Sequence, residues 1–394
     1  MKTIAVIGAG NAGQCIAADC TLAGKEVRLF EFPEFGKFIE GIRDTRKIRI
    51  VGPQRNGKGF KREGIATTDV VTTDLQEAVK GAGIICISIR ANMYETLFRR
   101  MIPCLEDGQL ITLYPDNFGS LILRRIMREM GCTKRVVIGG WSSLPYGARI
   151  LKLSEVNEVY VLYRAITLRG DTLPSRDQKE FFEVMKQLPI MDTVDISTGD
   201  TVIDIGFSNV NPILHVPATL LNMGAIDNWG TIFGDNNVFY DIYRHGFSPN
   251  VAKVQIALYK EEFAIAEKMG VGIQPYETAD FLSRTSILGQ EFMGKGFAIP
   301  FQNKIPSEEW MKYLPGERFS VEGRYVTEDI PVGCRVFYEL AKKFNIAVPI
   351  IESMIHLGSV VSGKNYFAEG FSLKDLGIDH MEHDQLLRYM REGF

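Results

Sequence analysis

The chain is 394 residues long, 45% apolar and 24% charged, with a formal net charge of −3. That length leaves room for two domains with substantial cores, and the composition excludes a disordered or low-complexity chain. The small negative charge and the lack of a long Lys/Arg block argue against nucleic acid as a main partner, and no apolar run is long enough to cross a bilayer.

Met1-Lys2 leads directly into the first apolar run without a leader-like segment, so a cytoplasmic protein with no membrane partner is expected. Six cysteines, at positions 15, 20, 86, 104, 132 and 334, form no C-x-x-C pair and have no histidine at zinc-finger spacing. They are expected to be reduced and mainly buried, and no metal site is expected.

The first predicted element is a short buried strand, Ile4 to Ile7, followed by Gly8, Gly10 and Gly13 in G-x-G-x-x-G spacing. Gly8 permits a sharp turn out of the strand, Gly10 lets backbone approach a pyrophosphate, and Gly13 lets the next helix pack close to the sheet. The unpaired N–H groups of that helix then face the phosphates. A helix over Gln14–Ala23 ends at Gly24, and a strand over Glu26–Glu31 finishes in an acid 23 residues after Gly8. There a carboxylate would accept hydrogen bonds from the adenosine ribose, and its charge would repel a 2′-phosphate. NAD is therefore favoured, with NADP left open because Arg28 and Lys37 lie nearby in sequence. The expected cofactor-binding residues are Gly8, Gly10, Asn11, Ala12, Gly13 and Glu31.

Residues 32–63 are rich in Gly, Pro and charge and read as a helix followed by an irregular excursion. Strands are predicted at Ala66–Val70, Ile84–Ser88, Gln109–Tyr114 and Arg135–Gly139, with helices at Asp74–Lys80, Asn92–Ile102 and Leu121–Met130 between them. This alternation predicts a doubly wound, Rossmann-type parallel sheet whose ligands lie beyond the carboxyl ends of the strands. The turns Gly8–Gly13, Ser88–Asn92 and Pro115–Ser120 are therefore the places to look. In the last of these, Asn117 and Ser120 could bond nicotinamide or substrate, or the turn could simply cap the following helix. Trp141-Ser-Ser-Leu-Pro-Tyr-Gly-Ala-Arg149 combines an aromatic, two hydroxyls and a cation beyond a strand end, a composition suited to a small anionic substrate.

A strand-rich piece, Glu158 to Leu168, and a helix, Arg176 to Leu188, complete a dinucleotide-binding domain over residues 1–198. From 199 to 394 helical periods dominate, predicting a mainly α-helical second domain for substrate and catalysis. Asn211 as N-cap and Pro212 in the first turn start a helix in which His215 follows, with Pro217 disturbing it. A histidine in an apolar helix is ordinarily a satisfied core residue, but His215 is one of only five and lies near the domain boundary in sequence. Helices are expected at Val251–Met269 and Pro275–Leu288, with Lys260, Glu261 and Glu262 as an exposed charge run. A loop from Gly294 to Phe319 is expected to cover the cleft. Asp329 precedes a helix over Val332–Phe344, where the helix dipole favours negative charge; a cap or a surface ion pair to Arg324 is the alternative role.

Four separated stretches, Gly8-Ala-Gly-Asn-Ala-Gly13, Leu144-Pro-Tyr-Gly-Ala-Arg149, Asn211-Pro-Ile-Leu-His215 and Arg324-Tyr-Val-Thr-Glu-Asp-Ile-Pro-Val-Gly333, together resemble the octopine/nopaline (opine) dehydrogenases. The resemblance implies a Rossmann domain followed by a helical domain, and an NAD(P)-dependent oxidoreductase that condenses an amino acid with a 2-oxo acid reductively, or oxidises the product back. By the same resemblance His215 is the acid/base group and Asp329 orients its ring, while Arg324 binds a substrate carboxylate and Ser143 contacts substrate; Asn117 is expected at the substrate from its place in the turn after a strand. Amino acid and 2-oxo acid would be the small-molecule partners, with a homodimer as the assembly.

Two other readings stay open on sequence alone. A ketopantoate-reductase-like 2-hydroxy-acid dehydrogenase pairs similar domains but commonly uses a lysine in the helical domain, and no lysine occurs between Thr198 and Val251. A non-catalytic NAD-binding sensor would not need His215, Arg324 and Asp329 together.

Overall fold

The computed structural model describes residues 2–55, 61–233, 240–284, 299–300 and 320–393. Contacts divide the chain into two compact units, one over residues up to Ile205 joined by residues 384–393, the other beginning at Gly206 and ending at His383.

The first unit is built on an eight-stranded sheet. Its strands are β1 (Ile4–Ile7), β2 (Val27–Phe30), β5 (Val70–Thr72), β6 (Ile84–Ile87), β7 (Leu110–Leu113), β8 (Val137–Trp141), β11 (Thr167–Thr172) and β12 (Asp195–Thr198). They lie in the order β12-β11-β8-β7-β6-β1-β2-β5, parallel except where β11 runs against β8. Every residue of β1, β6, β7 and β8 is buried, as uninterrupted apolar runs require when helices cover both faces. The chain winds from β1 through β2 to β5 on one side, then returns to β6 and continues through β7 to β8 on the other. The switch point is therefore between β1 and β6, and its carboxyl ends carry the Gly8–Gly13 and Ser88 turns. The helices of this half are α1 (Asn11–Leu22), α2 (Leu75–Val79), α3 (Tyr94–Met101), α4 (Gly119–Glu129) and α5 (Gln178–Met185). The side chain of Asp74 caps α2 by accepting from the amides of Gln76 and Glu77.

A second sheet of four strands, ordered β4-β3-β10-β9, packs on α1. It comprises β3 (Lys47–Val51), β4 (Gly64–Thr67), β9 (Tyr146–Lys152) and β10 (Val156–Arg164). The run Ala66–Val70 is not one strand: β4 ends at Thr67 in the small sheet and β5 begins at Val70 in the large one. Between them the Asp69 carboxylate accepts from Val27 N at 2.8 Å, fastening the crossing to β2. Residues 33–42 form two 3-10 segments rather than an α-helix, and β3 then alternates buried and exposed as a half-buried strand should.

The second unit is helical, and α6 (Val202–Phe207) leads into it. Next comes α7 (Asn211–Leu220), of which all but Asn211 is buried. Asn211 does not cap it; Asn209 Oδ1 accepts from Asn211 N at 3.1 Å, and Pro217 is carried inside the helix. The longest helix, Pro249–Met269, is capped by Ser248 and closed by Gly270 at φ +67°. Its Gln255 donates to the Leu214 carbonyl at 3.0 Å, locking it to α7.

Of the run expected to be exposed on this helix, Lys260 is exposed but the two acids are not. Glu261 accepts from Ile350 N and Ile351 N, each at 2.9 Å, and so caps the helix Pro349–Ser362, while Glu262 is wholly buried. Of the helix expected over Pro275–Leu288, the described residues form only Thr278–Phe281, followed by the two-residue strand Ser283–Arg284. The loop Gly294–Phe319 lies almost wholly outside the described residues. A short helix Arg324–Thr327 and a π-turn Asp329–Cys334 precede the helix Arg335–Lys343.

Candidate active site

In the first unit the glycine turn has the shape a dinucleotide needs. Gly8 has φ +99°, and a Cβ there would lie 2.5 Å from Ser88 O; a Cβ on Gly13 would lie 1.7 Å from Gly8 O. Both positions therefore admit only glycine. A Cβ on Gly10 would meet nothing within 4 Å, and α1 begins with no side chain on its first amides. That open helix N-terminus fits a pyrophosphate approaching the backbone. Ala12 is buried beneath it, and Asn11 Oδ1 accepts from Ile150 N at 2.8 Å, tying the helix start to β9.

Glu31 sits at the end of β2, 5% exposed, with Oε2 accepting from Ala9 N at 2.7 Å and Oε1 from Phe32 N at 2.9 Å. Burial raises its pKa, and the two amides oppose the rise. The carboxylate thus braces the glycine turn itself, and each oxygen keeps a further lone pair for a ribose hydroxyl.

The turn after β7 is largely occupied by its own hydrogen bonds. Asp116 accepts from Ser120 N at 3.1 Å and from Ser120 Oγ at 3.0 Å, so the Ser120 hydroxyl is committed inside the fold. Burial pushes Asp116 up to about 7. Asn117 is half-buried with φ +44°. The stretch 141–149 is likewise absorbed by packing. Trp141 is buried and donates from Nε1 to Thr112 Oγ1 at 3.0 Å, Ser142 is buried, and Tyr146 donates to Asp19 Oδ2 at 2.6 Å. Ser143 is half-buried, and its hydroxyl makes no hydrogen bond among the described residues.

In the second unit, residues 114 positions apart meet: His215 Nδ1 lies 2.8 Å from Asp329 Oδ2. The other ring nitrogen, Nε2, lies 2.8 Å from the hydroxyl of Tyr243. A carboxylate accepts, so Nδ1 carries the proton and Nε2 presents its lone pair to the Tyr243 hydroxyl. Tyr325 lies against the imidazole with ring centroids 4.1 Å apart. Burial pulls the His215 pKa below the ordinary histidine value, Asp329 pulls it back up, and the Arg324 charge adds to the lowering. His215 is therefore neutral at rest and can take up a proton. Arg324 is exposed, its guanidinium 5.5 Å from the Tyr325 ring centroid, and it forms no ion pair among the described residues. The surface ion pair to Asp329 is thus not formed, and the fork remains able to take a carboxylate.

Sequence reasoning did not single out Tyr243 or Tyr325. Tyr325 stands within the Arg324–Gly333 motif, between Arg324 and Asp329. Tyr243 lies in the π-turn Ile242–Gly246, which has no apolar period, and its pairing with His215 is long-range. Among the described residues no group of three or more His, Cys, Asp or Glu could hold a metal ion, and no helix is long and apolar enough to cross a membrane.

Comparison with known proteins bears on both units. The NAD/NADP octopine/nopaline dehydrogenase alpha-helical domain profile matches residues 198–362, and the NAD-dependent glycerol-3-phosphate dehydrogenase N-terminus profile matches residues 3–114. An opine dehydrogenase of Arthrobacter sp. (strain 1C) is 27% identical over 379 residues, covering 96% of this chain and 95% of that one. Among solved structures, octopine dehydrogenase in complex with NADH and agmatine superposes with a TM-score of 0.70 at 18% identity, covering 98% of each chain. Yersinopine dehydrogenase with NADP+ bound gives a TM-score of 0.67 at 12% identity over 98% of this chain and 99% of that one.

Proposed function

The chain belongs to the opine dehydrogenase family, and from that premise we propose that it joins an amino acid to a 2-oxo acid through a secondary amine, with His215 as the acid/base group. It is an NAD(P)-dependent oxidoreductase acting on CH–NH groups. The dinucleotide is held by Gly8, Gly10, Asn11, Ala12, Gly13 and Glu31, within residues 1–198, and the catalytic residues belong to the domain starting at 199. Nicotinamide, when bound, supplies or accepts the hydride. NADH is favoured because the Glu31 carboxylate at the end of β2 disfavours a 2′-phosphate.

The residues of the helical unit serve the proton steps. An amino acid arrives as an ammonium and must lose a proton before its nitrogen can attack the ketone. The neutral His215 takes that proton, and Asp329 stabilises the imidazolium. Attack gives a carbinolamine. The proton then returns to its hydroxyl, which leaves as water and generates the iminium that accepts hydride. Arg324 holds a substrate carboxylate through its fork, with Ser143 and Asn117 as further substrate contacts. The observation that carries this reading is the buried His215 between a carboxylate and a hydroxyl.

The test is NADH consumption by the purified protein against amino acids crossed with 2-oxo acids, with product masses recorded. A product joining both substrates through a secondary amine is expected. Consumption with the oxo acid alone would refute condensation and point to a hydroxy-acid dehydrogenase.

A further inference from the structure

Gln14, near the start of α1, is fully buried although its side chain is polar. Its Nε2 donates to the Ala9 carbonyl at 2.9 Å and to the Phe38 carbonyl at 3.2 Å, and its Oε1 accepts from Asn157 Nδ2 at 3.1 Å. Asn157, on β10 and also buried, donates from the same nitrogen to Phe38 O at 2.8 Å, while its Oδ1 accepts from Ser154 N at 3.0 Å. A backbone N–H only donates, so Ser154 fixes which end of the Asn157 amide is oxygen. Asn157 in turn fixes Gln14, whose NH₂ must then face Ala9 O. Ala9 is thus held by both of its backbone polar groups, the N–H by Glu31 Oε2 and the carbonyl by Gln14.

We propose that Gln14 is a positioning residue for the cofactor: by holding the Ala9 carbonyl it keeps the Gly10 N–H turned to the pyrophosphate, and Asn157 of the small sheet sets the Gln14 amide for that task. This deepens the reading of the glycine turn as the dinucleotide site and rests on it. The Ala9–Gly10 peptide is trans, so its carbonyl and its N–H point in opposite directions. Drawing Ala9 O into the fold therefore turns the Gly10 N–H outward, and among the described residues no acceptor meets it. Sterics alone would not keep this arrangement, because Gly10 has no Cβ and nothing lies within 4 Å of where one would be. A glycine there lets the peptide rotate freely, and the Gln14 amide supplies the restraint that the backbone lacks. The phosphate then meets a donor already aimed at it, with no reorientation needed on binding.

The test is fluorescence titration of the full-length protein and its Gln14→Met variant with NADH, well below the thermal midpoint of each. Displacement by ADP-ribose, which shares the pyrophosphate but lacks nicotinamide, is measured alongside. Met keeps the length and apolar bulk of the side chain and removes the amide. A positioning role predicts that both ligands bind the variant roughly tenfold or more weakly, the scale of losing one hydrogen bond to a charged group. Asn157→Ser leaves Gln14 in place without its support and should weaken both ligands by about threefold, the scale of one neutral hydrogen bond. NADH affinity within about twofold of the parent in folded Gln14→Met would overturn the proposal and leave Gln14 a packing residue. If Gln14→Met does not fold, unchanged affinity in Asn157→Ser overturns it instead. Weaker NADH binding with ADP-ribose unaffected would also overturn it, because the loss would then lie in the nicotinamide half. A parent protein that bound neither ligand would refute the glycine turn as a cofactor site, and the role of Gln14 with it.

Discussion

Asp19 in the first unit and Asp329 in the second are both withdrawn from water, at 0% and 9% exposure, and their partners differ in kind. Asp19 receives five donors: two nitrogens from Arg164, two from Arg62 and the hydroxyl of Tyr146. Burial would raise its pKa, but the two guanidinium groups outweigh burial and hold it below the ordinary carboxylate value. Each guanidinium is anchored in turn, Arg164 on Gln54 and Arg62 on Asp192 and the Pro189 carbonyl. The network closes on itself, joining α1 to the small sheet behind the glycine turn. Asp329 instead meets a neutral imidazole whose far side ends on a half-buried hydroxyl. A permanent cation fixes a charge, whereas a histidine can gain and lose one. The first network fixes its charges, and the acid/base role proposed for His215 would use the second one's capacity to change its charge.

The sharpest break in this contrast is Arg164→Met. It strips two donors from a fully buried carboxylate, and disrupting a buried ion pair in this way typically costs about 3–5 kcal/mol. Urea unfolding followed by circular dichroism should show a loss of that order or a failure to accumulate folded protein. Stability near that of the parent would mean that the network does not hold α1 to the small sheet.

Asp329→Asn should act in the opposite manner, leaving the fold standing and removing the chemistry. The amide can still accept from Nδ1, but it no longer favours imidazolium, so turnover should fall by about 10²-fold or more. Asp329 raises the His215 pKa, so its removal should also move the acidic limb of the pH–rate profile to lower pH. Thermal unfolding and kcat measured on one preparation would separate the two effects. Unchanged turnover would make Asp329 a structural residue like Asp19.

The difference between these networks also marks what the sequence can disclose. The Rossmann half is legible because its signals are local: Ile4–Ile7, Ile84–Ile87 and Leu110–Leu113 are unbroken apolar runs, and the glycine spacing states its own geometry. His215 and Asp329 stand out through motifs, yet neither motif says that their side chains meet. The Asp19–Arg164 pair spans 145 residues and carries no motif at all. Tyr243 has the same difficulty, since a tyrosine in an irregular turn has no period to betray its direction. Glu262 was within reach of pattern reasoning. The buried residues of its helix include Leu258, Tyr259, Ile265, Ala266 and Met269, and positions 258, 262, 265 and 269 share one face. That period, rather than the charge of Lys260-Glu-Glu262, decides where Glu262 goes.

Glu262 extends the comparison to a carboxyl with neither cations nor histidine. It is wholly buried on the helix Pro249–Met269, and among the described residues neither carboxyl oxygen has a hydrogen-bond partner. Burial pushes its pKa well above the ordinary glutamate value, so the folded chain holds a proton there that the unfolded chain releases. A folded pKa above the unfolded one gives a contribution that is fully present below the unfolded value, near 4.5, and is lost as pH rises toward the folded value. The helical unit should therefore lose stability on going from pH 5 to pH 9. Glu262→Gln keeps the shape, removes the titration, and should flatten that decline. Since about 1 kcal/mol moves the midpoint of a domain of this size by roughly 2–4 °C, thermal melts should show the variant ahead by several degrees at pH 9 and close to the parent at pH 5. Parallel pH curves would show that Glu262 is ionised in the folded protein and has a counter-charge after all, which would return it to the class of Asp19.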